Sequence, residues 1–302
     1  VCNQHKFSDY ADYLHENLPA QAELDLQREK PLNPAPLVSV AIACSGASRA
    51  AVRSTLEALG KQTYANFEVC VVSELAQAGL TDYEGIPKFR LVLFNGTAHE
   101  QLKAAEKMLN GAYFLQLLPG DLPAPDALHM LVLQTHSNPD AEVVFADEDS
   151  VIDGIRQNPI FKPDYGRDTL RSFNSIGRPM LVSKRVHAAV GGFRGSTPAE
   201  LWAYCIDCAS VAKQVIHIAR IGLTVIRDGS EIPCTDILKR EFNSLYPGDG
   251  SGKKNRTNGY CFEGSVLGTL RMRYPRKREP SVGIVIAGAD GVENLQRCID
   301  SA

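Results

Sequence analysis

Long apolar runs are missing from this chain of 302 residues. None approaches the ~20 residues that a membrane-spanning helix requires, and no signal-peptide h-region is present. A charge excess is missing too: 32 Lys and Arg stand against 35 Asp and Glu, a net charge of -3. That balance gives no support for nucleic-acid binding as a bulk property. There is no G-x-G-x-x-G after the first apolar run, where Cys44-Ser45-Gly46-Ala47-Ser48 supplies one glycine only, so a dinucleotide-binding domain is disfavoured. One closely spaced cysteine pair, Cys205-x-x-Cys208, has no second pair to complete a zinc site. The eight cysteines are scattered, as at Cys44, Cys70 and Cys298, which fits reduced, buried thiols in the cytoplasm. In such a compartment the sequon Asn255-Arg256-Thr257 is a chance match. The chain starts at Val1 rather than Met, as a fragment or a processed protein would.

What is present is an alternation of strand and helix patterns. Residues 1–36 read as a helical arm: Tyr10, Tyr13, Leu14 and Leu18 recur at helical spacing before Pro31, Pro34 and Pro36 end the pattern. The runs LVSVAIAC (37–44), FEVCVVS (67–73), FRLVLF (89–94) and AYFLQLL (112–118) are short, apolar and rich in β-formers, as buried parallel strands are. Between them, Ser48 is placed to cap a helix with Val52, Leu56 and Leu59 on one face, and residues 98–109 suit another. Further helices are expected over 125–135 and 198–212, a short one ends at Gly191-Gly192, and residues 215–226 read as a bent strand or a strand pair. This order implies an α/β sheet with right-handed crossovers, whose ligands sit beyond the carboxyl ends of the strands. Ser73-Glu74, Pro119-Gly120-Asp121 and Ala146 to Asp149 all follow expected strands and are therefore expected to converge on one crevice.

The most informative stretch is VVFADEDSVIDGIRQNPIFKPD (143–164). A β-prone run opens onto Asp147-Glu148-Asp149, three carboxylates where a buried strand should reach the surface. Acids two residues apart on an extended backbone point to one side and can hold a hard cation or orient the hydroxyls of a polar substrate. Their mutual repulsion calls for a cation, a sugar or a proton nearby. A solvated turn is the competing reading.

With these segments placed, the chain resembles a family 2 glycosyltransferase of the GT-A fold, in particular the bacterial tandem-domain members that build surface polysaccharide. The resemblance rests on PLVSVAIA, on STLEALGKQTYANFEVCVV (54–72), and above all on ADEDSVIDG with FKPDY (161–165) and SFNSIG (172–177). It implies a mostly parallel sheet flanked by helices over residues 37–235, after the N-terminal arm. Residues 236–279 would then be a linker, and 280–302, which repeat the pattern of 36–58, the start of a second GT-A copy. It also implies a nucleotide-diphosphate sugar as donor, a glycan as acceptor, Mg2+ or Mn2+ as cofactor, and a cytoplasmic site of action. The basic run 271–278 would allow peripheral contact with an anionic membrane surface.

Carried over residue by residue, the resemblance makes Ser73, Glu74 and Asp121 donor-binding. Asp121, Asp147 and Asp149 become metal ligands, and Asp147, Glu148, Lys162 and Asp164 face the acceptor. Glu200, with Asp149, becomes catalytic, Glu200 as the base. The chain departs from the pattern in three places. Asp121 stands alone in LLPGDL, Ser73-Glu74 replaces a usual acidic pair, and Cys44-Ser45-Gly46 replaces a Pro-containing turn. Asp121 therefore also reads as a turn residue, Glu200 as a helix first-turn acid, and His217 as a packed core histidine. Two functions follow: an inverting sugar transferase, or a non-catalytic GT-A module that binds glycan or packs against an active second domain.

Overall fold

The structure, a computed structural model, describes residues 6–74, 86–226, 260–263, 269–273, 281, 283–285 and 291–301. Two helices, α1 (Lys6–Asn17) and α2 (Gln21–Glu29), precede the first strand. The sheet then runs through β1 (Val38–Ala43), β2 (Phe67–Ser73), β3 (Phe89–Leu93), β4 (Tyr113–Leu117), β5 (Asp121–Pro123), β6 (Ala141–Ile152), β7 (Ile155–Ile160), β8 (Met180–Ser183) and β9 (Gln214–Ile226). Interleaved with them are α3 (Arg49–Leu59), α4 (Ala98–Glu106), α5 (Ala127–Ser137), α6 (Arg167–Ser172), α7 (Lys184–Ala189) and α8 (Pro198–Val211).

The strand order is β3-β2-β1-β4-β8-β6-β9-β5, with β7 paired to the far half of β6. The first four strands are parallel, as expected of βαβ units. The rest of the sheet is mixed. β8 lies antiparallel between β4 and β6, β5 is antiparallel to β9, and β6 and β9 are parallel. Because β4 and β6 both oppose β8, they run in the same direction. The carboxyl ends of β1, β2, β4 and β6 thus reach the same edge of the sheet, which is the geometry that positions the site.

Alternation along the strands makes two cores. Val38, Val40 and Ile42 of β1, with Val69 and Val71 of β2, face Val52, Leu56 and Leu59 of α3 and Leu128, Leu131 and Val132 of α5. On the opposite face Ala41, Ala43, Cys70 and Val72 meet Leu102 and Ala105 of α4 and Trp202 and Cys205 of α8. The helix starts are built by side chains. Ser48 accepts from Ala51 N, and Thr97 and Thr197 each form a capping box with a glutamate three residues on.

The arm is packed onto this body. Tyr10 and Leu24 are buried, and Thr63 Oγ1 donates to Gln27 Oε1 of α2 at 2.6 Å. In the stretch expected as linker, β10 (Tyr260–Glu263) pairs with β11 (Leu270–Arg273), and Leu270 joins the core beside Leu170 of α6. The segment expected to begin a second copy holds α9 (Val292–Ser301), with no strand geometry at 283–285. The rest of the expected strand, and the polar stretch 246–259, lie outside the described residues. No helix among the described residues is long and apolar enough to cross a membrane.

Candidate donor and acceptor site

The acidic stretch departs from expectation in one decisive respect. β6 does not end at Phe145; it continues to Ile152, so Asp147, Glu148 and Asp149 lie inside a strand. They are 1%, 9% and 1% exposed, which excludes the solvated turn. Four buried carboxylates, counting Asp121, would be prohibitive without compensating charge. The chain supplies it.

Asp121 sits at the Pro-Gly-Asp turn after β4, where Gly120 takes φ +94° and its N–H donates to Thr55 Oγ1 at 2.9 Å. Both Asp121 oxygens are held by one guanidinium. Arg178 Nε donates to Oδ2 at 2.8 Å and Nη2 to Oδ1 at 3.0 Å, while Leu118 N also donates to Oδ2 at 2.8 Å. Arg178 N–H reaches Glu148 Oε2 at 3.2 Å. Lys162 Nζ lies 3.1 Å from the same Glu148 oxygen and donates to the carbonyls of Ala146 and Arg178, each at 2.7 Å. Asp121 and Glu148 are thus joined through the buried Lys162 and the half-buried Arg178.

Asp147 and Asp149 belong to other pairings. Asp147 Oδ1 accepts from Lys162 N at 2.9 Å and lies 2.7 Å from His217 Nε2. The other ring nitrogen of His217 lies 3.3 Å from Asp164 Oδ1, and the ring stacks on Phe145 at 4.9 Å. Asp149 Oδ2 takes Arg156 Nε at 2.7 Å and Tyr10 Oη, from the arm, at 2.5 Å. β-Bulges against β9 at Ala146/Asp147 and Asp147/Glu148 interrupt the alternation on which the two-residue spacing argument depended.

The metal trio expected from the sequence is therefore not assembled. Asp121, Asp147 and Asp149 have separate cationic or donor partners. Among the described residues no three His, Cys, Asp or Glu side chains form a group able to hold a metal ion. The residues present do not fit a divalent cation: Asp121, Asp147, Glu148 and Asp149 each already receive donors from the chain.

The electrostatics follow from burial and pairing. Burial alone would raise the Glu148 carboxyl, but Lys162 and Arg178 hold it below its ordinary value. Burial pushes Lys162 down, against the pull of Glu148 and Asp147. Arg178 is held up by Asp121 in spite of burial. Cys205, close to both cations, is nonetheless pushed up to about 12 by burial, which makes it an inert thiol.

Glu68 follows the same rule as Glu148: burial is outweighed by Asn110 N–H, Arg90 and Ser39. A carboxyl depressed in the folded state adds stability above its unfolded pKa and loses it as pH falls through the folded value. Stability is therefore expected to be level near neutrality and to fall steeply below about pH 4.3, the ordinary glutamate value. Urea midpoints at pH 7, 5 and 3.5 check this; a midpoint unchanged at 3.5 would contradict the pairing.

Glu74 is exposed just after β2 and accepts from Ser45 Oγ at 3.3 Å, linking the ends of β1 and β2. Ser73 is buried. Gln101 of α4 accepts from Cys44 N at 2.9 Å and donates to Phe94 O at 3.3 Å, closing the same edge. Glu200 lies at the start of α8, where Oε2 accepts from Ser196 N and Thr197 N, both at 3.0 Å. Its helix start is tied to β4 by Gln116 Nε2, which donates to Gly195 O at 2.7 Å. Gln116 Oε1 and Ser196 Oγ beside it are buried with no hydrogen-bond partner among the described residues.

Sequence reasoning missed Arg178 and Arg156, read Tyr10 only as part of the arm, and gave His217 its packing but not its bridging hydrogen bonds. The available signal was charge balance: buried acids require cations, and Arg156 and Lys162 follow within the same stretch, with Arg178 fourteen residues past its end.

No protein-family profile matches the chain. It is 27% identical to the uncharacterized protein y4gI of Sinorhizobium fredii, over 88% of this chain and 31% of that protein. It is 23% identical to the O-antigen biosynthesis protein RfbC of Myxococcus xanthus, over 97% of this chain and 24% of that protein. The chain thus spans a third or less of the curated relatives it matches. Among solved structures it is similar to residues 1–349 of S. aureus TarS in complex with UDP-GlcNAc, with a TM-score of 0.53 and 13% identity. That match covers 68% of this chain and 65% of that one. The chain has the GT-A fold. This bears out, at the level of the fold, the resemblance to family 2 glycosyltransferases read from the sequence. Within the GT-A domain, the buried polar network lies at the carboxyl edge of β4 and β6, where an open α/β sheet binds its ligands.

Proposed function

We propose that the chain is a glycosyltransferase domain acting in cell-surface polysaccharide synthesis, moving a sugar from a nucleotide-diphosphate donor to a glycan hydroxyl. The observation that carries this reading is the convergence on one sheet edge of the Ser45–Glu74 link, the Asp121 turn and the Glu200 helix start. The names of its relatives support it: RfbC is an O-antigen biosynthesis protein, and TarS was solved with UDP-GlcNAc.

In this reading Ser73 and Glu74 meet the nucleoside, and Asp121 with Arg178 meets the diphosphate. Glu200 accepts the proton of the attacking hydroxyl; only its Oε2 is engaged in capping among the described residues. Lys162 and Asp164, clipped to β6 through Asp147 and His217, shape the acceptor side. Asp149, closed in by Tyr10 and Arg156, positions β6 and β7 rather than reacting. The divalent ion that the fold family implies has no ligand set among the described residues, so no step is routed through it. Residues 280–302 begin a second GT-A domain, and the domain works on the cytoplasmic side.

One observation favours the rival reading, a non-catalytic module: both oxygens of Asp121 are engaged by Arg178. Calorimetric titration with a panel of nucleoside diphosphates separates the two. A saturable heat with one nucleotide supports the transferase, and no heat with any nucleotide on folded protein leaves the module.

A further inference from the structure

Resting on the donor-site reading above, we infer that Arg178, backed by Lys162, takes the place of a divalent cation and receives the donor diphosphate directly on its guanidinium. A divalent ion between two carboxylates brings a pair of negative charges to neutrality and leaves coordination for phosphate oxygens. Here Asp121 and Glu148 are the two carboxylates, and Arg178 and Lys162 bring the two positive charges. The bookkeeping of charge is the same, with both cations built into the chain.

Geometry then distinguishes the two side chains. Lys162 is sealed in: its ammonium is shared among Glu148 and two carbonyls, and its side chain is 2% exposed. Arg178 keeps 18% of its side chain exposed. Its Nε and Nη2 are used on Asp121, and Nη1 has no hydrogen bond among the described residues. A guanidinium has five donors in a planar fork, so one held on an aspartate by one side still presents N–H groups from the other. Phosphate oxygens, like carboxylate oxygens, pair strongly and often bidentately with such a fork. Asp121 thus acts as the orienting group: it fixes the plane of Arg178 and gives up none of its own oxygens to a metal. Arg178 is also anchored by its backbone, N–H to Glu148 and C=O to Lys162, so its placement does not depend on the side-chain pair alone.

The test is UDP binding by titration calorimetry, first in EDTA and then with Mn2+, on the parent chain, Arg178→Lys, and the pair Asp121→Asn with Arg178→Met. Lysine keeps the charge but loses the fork; the pair removes both charges together, which spares the fold an unpaired buried aspartate. Circular dichroism and thermal midpoints confirm folding. The expected result is UDP binding in EDTA, changed by less than about threefold on adding Mn2+. Arg178→Lys should weaken it by about tenfold or more, and the pair should lose it. Binding that appears only with Mn2+, or that survives undiminished in both variants, overturns the inference while leaving the transferase reading in place. Binding of no nucleoside diphosphate, UDP or any other of the panel, under any condition overturns both.

Discussion

Replacing Arg178 by alanine is expected to cost about 3–5 kcal/mol of stability, the penalty for stranding a buried charge. Asp121 is 1% exposed and would keep a single donor, Leu118 N–H. For a domain of this size that loss corresponds to a fall of about 6–20 °C in the thermal midpoint. The larger part of the penalty lies in the aspartate left behind rather than in the attraction removed. The pair Asp121→Asn with Arg178→Met should therefore recover most of the loss, since an amide can still accept from Leu118 N–H. Denaturant unfolding of the three proteins measures the effect. A loss below about 1 kcal/mol in the single variant would mean the ion pair is screened like a surface bridge, against the burial described above.

Lys162→Met should be nearly as costly, about 3–5 kcal/mol, for the same reason applied to Glu148. Methionine retains the length of the stem, so the change isolates the ammonium, which touches Glu148 Oε2 and the carbonyls of Ala146 and Arg178. Two backbone acceptors and one carboxylate would lose this donor at once, with Glu148 keeping the Arg178 N–H. Adding Glu148→Gln should return part of the stability. Lys162→Met and Arg178→Ala should not add. Lys162 holds the Arg178 carbonyl, and both cations serve Glu148, so an interaction energy of about 0.5–3 kcal/mol is expected from the double-mutant cycle. Strict additivity would show that Asp121 and Glu148 are independent sites and would dissolve the network.

These expectations rest on residues that the sequence made visible in unequal measure. The parallel half of the sheet was legible because β1, β2, β3 and β4 are short apolar runs separated by helix signals, and β2 begins and ends where its run of seven residues does. In the second half, β9 and the start of β6 were legible, and β5, β7 and β8 were not. β5 is three residues of a turn sequence, and β8 is hidden behind Gly177 and Pro179. β7 contains Pro159, which demotes a segment from a central strand and here sits on the pairing to the far half of β6.

The acidic cluster was found at once and then misplaced. Local pattern favours a strand ending where charges begin, whereas β6 carries Asp147, Glu148 and Asp149 onward between β7 and β9. What overrides the pattern is tertiary: Arg156, Lys162, Arg178 and His217 arrive from four different places in the chain and make buried carboxylates tolerable. Single-residue motifs do not report such pairings. His217 illustrates the point, since an apolar strand around it suggests plain packing, yet its two nitrogens bridge Asp147 and Asp164.

The carboxylates Asp121 and Glu148 are neutralised by Arg178 and Lys162 of the same chain. A crystal grown with UDP and Mn2+, with anomalous diffraction measured at the manganese edge, shows whether a divalent ion displaces them. The expected result is the diphosphate against the Arg178 guanidinium, Asp121 still bidentate to it, and no anomalous peak at the site. A manganese peak within coordination distance of the Asp121 oxygens, with Arg178 displaced from them, would contradict it.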